Sequence, residues 1–124
     1  MKLYLYTYNK GNGECYAESI NVNETEKLYR SDRCIPFLRI HTIYKSNIPI
    51  MRRGVGNEYS NYFIYLTDQK LSDAEAAHCI KQIVDKDITR RKGQIEKLLK
   101  ENKELEAVCF DTMTFKERTF KERI

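Results

Sequence analysis

Tyr59-Ser60-Asn61-Tyr62-Phe63-Ile64-Tyr65-Leu66 reads as an aromatic strand, and a few residues later Ser72-Asp73-Ala74-Glu75 reads as the start of a helix. In that second motif the serine hydroxyl can take the backbone N–H three residues on while the glutamate reaches back to the serine N–H, a reciprocal cap that opens a helix. Before this junction the chain carries strand patterns, and after it helical spacing runs to about Ala107. The order, strands first and helix afterwards, predicts an α+β fold.

Working back from the junction, residues 2 to 8 alternate, with Leu3, Leu5 and Thr7 on one side and Tyr4, Tyr6 and Tyr8 on the other, the period-two signature of a strand. Asn9-Lys10-Gly11-Asn12-Gly13 supplies turn chemistry. The return strand is expected from Glu14 to Val22, with Asn23-Glu24-Thr25-Glu26 as a polar connection. Cys34 to Tyr44, rich in Ile, Phe, Thr and Tyr, is expected as one strand. On it Leu38, Ile40, Thr42 and Tyr44 would face the core, and Phe37, Arg39, His41, Ile43 and Lys45 the other side. Ile48-Pro49-Ile50-Met51 and a glycine-bearing loop, Arg52-Arg53-Gly54-Val55-Gly56-Asn57, follow.

Forward from the junction, Val84, Ile88, Arg91, Ile95, Leu98, Asn102 and Leu105 are spaced by alternating steps of four and three, the pattern of a heptad seam. Gly93 and the polar Arg91 and Asn102 weaken it, so one long helix or two consecutive helices are both compatible, the first part packing on the sheet and the second docking on another subunit. The chain ends in a tandem repeat, Thr114-Phe115-Lys116-Glu117-Arg118 and Thr119-Phe120-Lys121-Glu122-Arg123, expected as a mobile or partner-docked tail. The expected architecture is thus a small antiparallel β-sheet (the N-terminal hairpin plus two further strands), then helix and a short tail. It forms a single domain over 1–124, with 1–67 mainly β, 71–107 helical and 108–124 tail.

The length of 124 residues allows a hydrophobic core without staples. Mean hydropathy is −0.66, and no apolar run approaches the roughly 18 residues of a membrane span. The first residues are too few and too aromatic for a signal peptide, so the cytoplasm is expected, with no membrane partner. The four cysteines, Cys15, Cys34, Cys79 and Cys109, form no C-x-x-C pair and read as reduced, mostly buried thiols. Their spacing with His41 and His78 does not support zinc. Neither metal nor cofactor is expected.

Net charge is only +4, but its distribution is uneven. No acidic residue lies between Asp32 and Glu58, whereas Arg33, Arg39, Lys45, Arg52 and Arg53 do. Guanidinium forks, a lysine point charge and glycine-loop N–H groups are what phosphates bind to, and Phe37 and Tyr44 could stack on a base. A solvated strand face and an ordinary loop is the competing account. Gly54-Val55-Gly56 lacks the third glycine and following helix of a dinucleotide fingerprint, and the Gly-Lys-Ser/Thr of a P-loop. No nucleophile with a base, no carboxylate pair and no metal triad stands out. His41 as base with Cys34 as nucleophile has no supporting context, and no enzyme is expected. In a homo-oligomer formed through the helix, the tail would bring Thr112, Thr114, Phe115 and Arg118 to a shared pocket. The binding set is therefore Arg39, His41, Tyr44, Lys45, Arg52, Arg53, Thr112, Thr114, Phe115 and Arg118.

The Tyr-rich hairpin at Tyr4 to Tyr8, the Ile-Tyr-Lys-Ser-Asn-Ile step at Ile43 to Ile48, the strand ending Leu66-Thr67-Asp68 and the charged helix after it resemble, over most of the chain, small phage-encoded proteins. In particular they resemble the first-described family of Thoeris anti-defence sponges. The resemblance implies a small sheet packed with helices, assembled as a homo-oligomer, that does no chemistry. Such a protein sequesters a cyclic ADP-ribose signal made by bacterial TIR-domain defence enzymes, or in some members cyclic oligonucleotides, in the cytoplasm of an infected host. A rival expectation is an inhibitor or accessory protein that uses the same basic strip on RNA, DNA or a nuclease effector. Salt dependence separates the two, being steep for many phosphate contacts and shallow for one small dianion.

Overall fold

A computed structural model describes residues 1–119. Seven antiparallel strands form two sheets and one long helix follows: β1 (Lys2–Asn9), β2 (Cys15–Asn21), β3 (Asn23–Glu24), β4 (Leu28–Ile35), β5 (Ile40–Tyr44), β6 (Ile50–Arg53), β7 (Tyr62–Thr67) and α1 (Asp73–Glu106). The fold is α+β, as the order of patterns predicts. Packing groups the chain into two compact units, Met1–Thr89 and a second that starts at Arg90.

The β1–β2 hairpin forms where the alternation places it, with Tyr8 opposite Cys15. Its turn uses Gly13 at φ +76°, while Asn9 and Asn12 accept backbone N–H groups from Gly11 and Glu14 at 2.8 and 2.9 Å, the local bonding that makes asparagine a turn residue. The larger sheet has the order β2-β1-β7-β6. The leucine side of β1 joins Ile64, Leu66 and Val22 in a core closed by Tyr29, Ile35 and Ile43 of the smaller sheet, β3-β4-β5, and by Leu38 of the turn between β4 and β5. The tyrosine side of β1 and the Phe63 and Tyr65 side of β7 lie under the first turns of α1. There the Tyr6 hydroxyl takes the Leu71 N–H at 2.8 Å, and Ala76 and Ile83 are buried. The first unit is therefore three-layered, with the two inner strands of the larger sheet, β1 and β7, covered on both faces and its edge strand β2 largely exposed.

Cys34 to Tyr44 is not one strand. Pro36 to Arg39 make a tight turn with Phe37 and Arg39 at φ +69° and +56°, and the N–H groups of Leu38 and Arg39 both point to the Ile35 carbonyl at 3.3 Å. The alternation counted from Cys34 therefore fails. Ile43 is the core residue at 3% exposure while Tyr44, expected inward, is 58% exposed. Strand β4 begins six residues earlier than that expectation and β6 arises where only a connection was expected. Three of the cysteines, Cys15, Cys34 and Cys109, are exposed and Cys79 is half-buried, which corrects the reading of buried thiols. Cysteine's preference for the interior does not decide positions on an edge strand, as for Cys15, in the irregular stretch between Arg30 and Ile35, as for Cys34, or after a helix end, as for Cys109.

The reciprocal cap opens α1 as expected, Ser72 N–H to Glu75 Oε1 at 3.1 Å and Glu75 N–H to Ser72 Oγ at 3.2 Å. The helix is continuous for 34 residues, so of the two helical readings the single long helix holds. A side chain at Gly93 would meet nothing within 4 Å, so that glycine serves no packing need. Among the described residues no helix is long and apolar enough to cross a membrane.

Candidate binding surface

The basic strip separates into distinct environments. Arg39 projects from the β4–β5 turn, 54% of its side chain in water. Its guanidinium lies 5.8 Å from the Tyr59 ring centroid and 3.7 Å from the exposed Glu58 carboxylate. Tyr59 belongs to an aromatic group: Phe37 stacks on Tyr62 at 4.3 Å and meets Tyr59 edge-on at 5.2 Å. The turn is held against the glycine loop by Val55 N–H donating to the Phe37 carbonyl at 2.9 Å. Both loop glycines are required by geometry. A Cβ on Gly54 would fall 2.3 Å from the Tyr59 carbonyl oxygen, and Gly56, at φ +83°, lies directly against the Arg39 guanidinium, 3.1 Å from where its Cβ would stand.

Arg53 is committed to the fold. It donates through Nε to the Ser60 carbonyl at 2.9 Å and through Nη2 to the same oxygen, lies 5.2 Å over Phe63 and pairs with Asp87 of α1 at 3.6 Å. Lys45 is similarly occupied, 2.5 Å from Glu24 and 5.3 Å from the Tyr29 ring. The Tyr29 hydroxyl in turn donates to Asp68 at 3.3 Å, and burial first, then the Asp68 charge, raises its pKa. Arg52 is exposed and donates through Nε to the neighbouring Arg53 carbonyl at 3.2 Å. His41 turns to Cys34 across the β4–β5 pair, Nε2 to Sγ at 3.1 Å, with Nδ1 3.4 Å from the Ser31 carbonyl, which fits an Nδ1–H tautomer. The expected shared face of Phe37, Arg39, His41 and Lys45 does not form, because the turn removes Arg39 and Phe37 from the strand.

The tail residues Thr112, Thr114, Phe115 and Arg118 belong to the second unit and are exposed there, Phe115 to 86%. Thr112 already has a local role: its hydroxyl and backbone N–H bond the Cys109 sulfur and hold that thiol's pKa below its ordinary value. Phe120 to Arg123, in the second copy of the pentapeptide repeat, lie outside the described residues.

Sequence reasoning missed Tyr59 and Tyr62 as partners of Arg39, although both stand in the aromatic run next to the glycine loop. It also missed a groove of about 660 Å³ between the β1–β2 hairpin and the start of α1. Small residues, Cys15 and Ala17 on the strand and Ala76 and Ala77 on the helix, leave that space beside Tyr6 and Tyr8. Its size suits a small ligand. Its cation, Lys81, is 3.6 Å from Asp85, and Asp73 stands at its wall, so the groove is less suited to an anion than the Arg39 surface. No protein-family model, curated protein or solved structure matches this chain.

Proposed function

We propose that the protein binds and sequesters, without altering it, a small nucleotide anion of the cyclic ADP-ribose type in the cytoplasm of an infected bacterial host, as the resemblance to anti-defence sponges implies. Arg39 is the phosphate-binding group and the Phe37, Tyr59 and Tyr62 cluster the stacking platform. One observation carries the reading: an exposed guanidinium sits over a tyrosine, against a glycine loop, and among the described residues its ion-pair partner is an exposed carboxylate at 3.7 Å. A diphosphate displaces such a carboxylate readily, because an exposed pair is worth little and a bidentate guanidinium–phosphate pair is worth more. Sequestration requires only that the ligand be held, so no general base or nucleophile is called for.

The test is calorimetric titration with cyclic ADP-ribose isomers. Arg39→Ala is expected to weaken binding by about 100-fold or more while leaving the thermal transition unchanged, and Lys45→Ala to have a far smaller effect. Equal affinity of Arg39→Ala and the native chain would sink the assignment. Binding to single-stranded oligonucleotides with a steep salt dependence would instead favour the nucleic-acid reading.

A further inference from the structure

Along α1, Ile88, Ile95, Leu98 and Leu105 leave 44%, 56%, 58% and 66% of their surface in water, although they follow the steps of a heptad seam. Written as a heptad, Ile88, Ile95 and Asn102 take position a, and Arg91, Leu98 and Leu105 take position d. The seam is interrupted by two polar positions, Arg91 and Asn102, and polar residues on a seam specify register and partner number at a cost in stability. Gly93 falls on the outer face, where it does not interrupt the seam.

Orientation follows from the two polar positions. In a parallel pair each residue meets its own copy, so Arg91 would face the partner's Arg91 and Glu101 would flank the partner's Glu106, like charge against like. In an antiparallel pair with Ile95 opposite the partner's Leu98, the same register sets Ile88 opposite the partner's Leu105. It also sets Arg91 opposite the partner's Asn102, with the partner's Glu101 beside it. Apolar layers then meet apolar layers, and the guanidinium meets an amide and a carboxylate. We propose that the Ile88–Leu105 face is covered by a second copy of this chain in an antiparallel two-stranded coiled coil with that register.

The seam is about 27 Å long at 1.5 Å per residue, so the dimer is reversible and concentration-dependent. It does not depend on the ligand assigned above. Sedimentation equilibrium of the full chain is expected to show a monomer–dimer equilibrium, and Leu98→Asp, at a position exposed within its own chain, to weaken it by about 100-fold or more with unchanged circular dichroism. Arg91→Glu is expected to weaken the dimer by about tenfold, and Arg91→Glu with Glu101→Arg in the same chain to restore it. Residues 91 and 101 are about 15 Å apart along one helix, so rescue cannot arise within a chain, and in a parallel pair Arg91→Glu only exchanges one like-charged pair for another, so the weakening that the second substitution rescues would itself be absent. A monomer at the highest soluble concentration, an assembly whose smallest unit is not a dimer, indifference to Leu98→Asp or failure of the charge exchange to rescue would each overturn the proposal.

Discussion

Arg53 and Asp87 join the central sheet to the helix, Nη1 to Oδ2 at 3.6 Å, with 25% and 11% of their side chains left to water. The relationship changes what the basic strip means. Arg53 and Arg39 look equivalent in the sequence, yet Arg53 closes an interface between layers while Arg39 faces solvent. Removing Arg53 deprives Asp87 of a half-buried partner and leaves the Ser60 carbonyl without two donors. Arg53→Ala should therefore lower unfolding stability by about 2 kcal/mol, whereas Arg39→Ala should change it by less than about 0.5 kcal/mol. Urea denaturation of the two variants measures the difference, and equal midpoints would contradict the assignment of roles.

The hairpin turn at Pro36 to Arg39 inverts the face assignment of the strand that follows it, and two neighbouring residues report on this directly. Ile43 lies in the core with Tyr29 and Leu38, while Tyr44 is mostly in water. Ile43→Ala is expected to cost about 3 kcal/mol through lost transfer energy and the cavity left behind, and Tyr44→Ala less than about 1 kcal/mol. The reverse ranking in thermal or chemical unfolding would restore the alternation counted from Cys34.

What could be read from the residues, and what could not, divides along the same line. The β1–β2 hairpin and the start of α1 were legible because each is specified locally: alternation with Asn-Gly turn chemistry in one case, Ser72 and Glu75 in the other. The β4–β5 turn was not, because its two left-handed positions are occupied by Phe37 and Arg39 with no glycine to mark them, and the residues on either side are both β-rich. The strip's charge was legible but its use was not. Whether a cation is spent on Asp87, on Glu24 or left to a ligand depends on residues tens of positions away. The groove was hidden for a related reason, since small residues at Ala17 and Ala77 become a cavity only when the helix is laid across the hairpin.

The cap that opens α1 also gives the chain a pH dependence of definite sign. Glu75 accepts the Ser72 N–H and its own N–H is taken by the Ser72 hydroxyl. The backbone bond from Ser72, then its hydroxyl, holds the Glu75 carboxyl below its ordinary pKa. A carboxyl whose pKa is depressed on folding contributes stability that is full above its unfolded pKa and is lost as pH falls through the folded one. Ser72→Ala removes the hydroxyl cap directly, at a cost of about 1 kcal/mol near neutrality. Glu75→Gln keeps an acceptor without a titrating charge, so its stability relative to the native chain should be lowest at neutral pH and converge with it as pH falls below the carboxylate range. Unfolding free energies measured from pH 7 down through that range test the sign: a gap between Glu75→Gln and the native chain that widens in acid would show that the carboxylate is not stabilised by the cap.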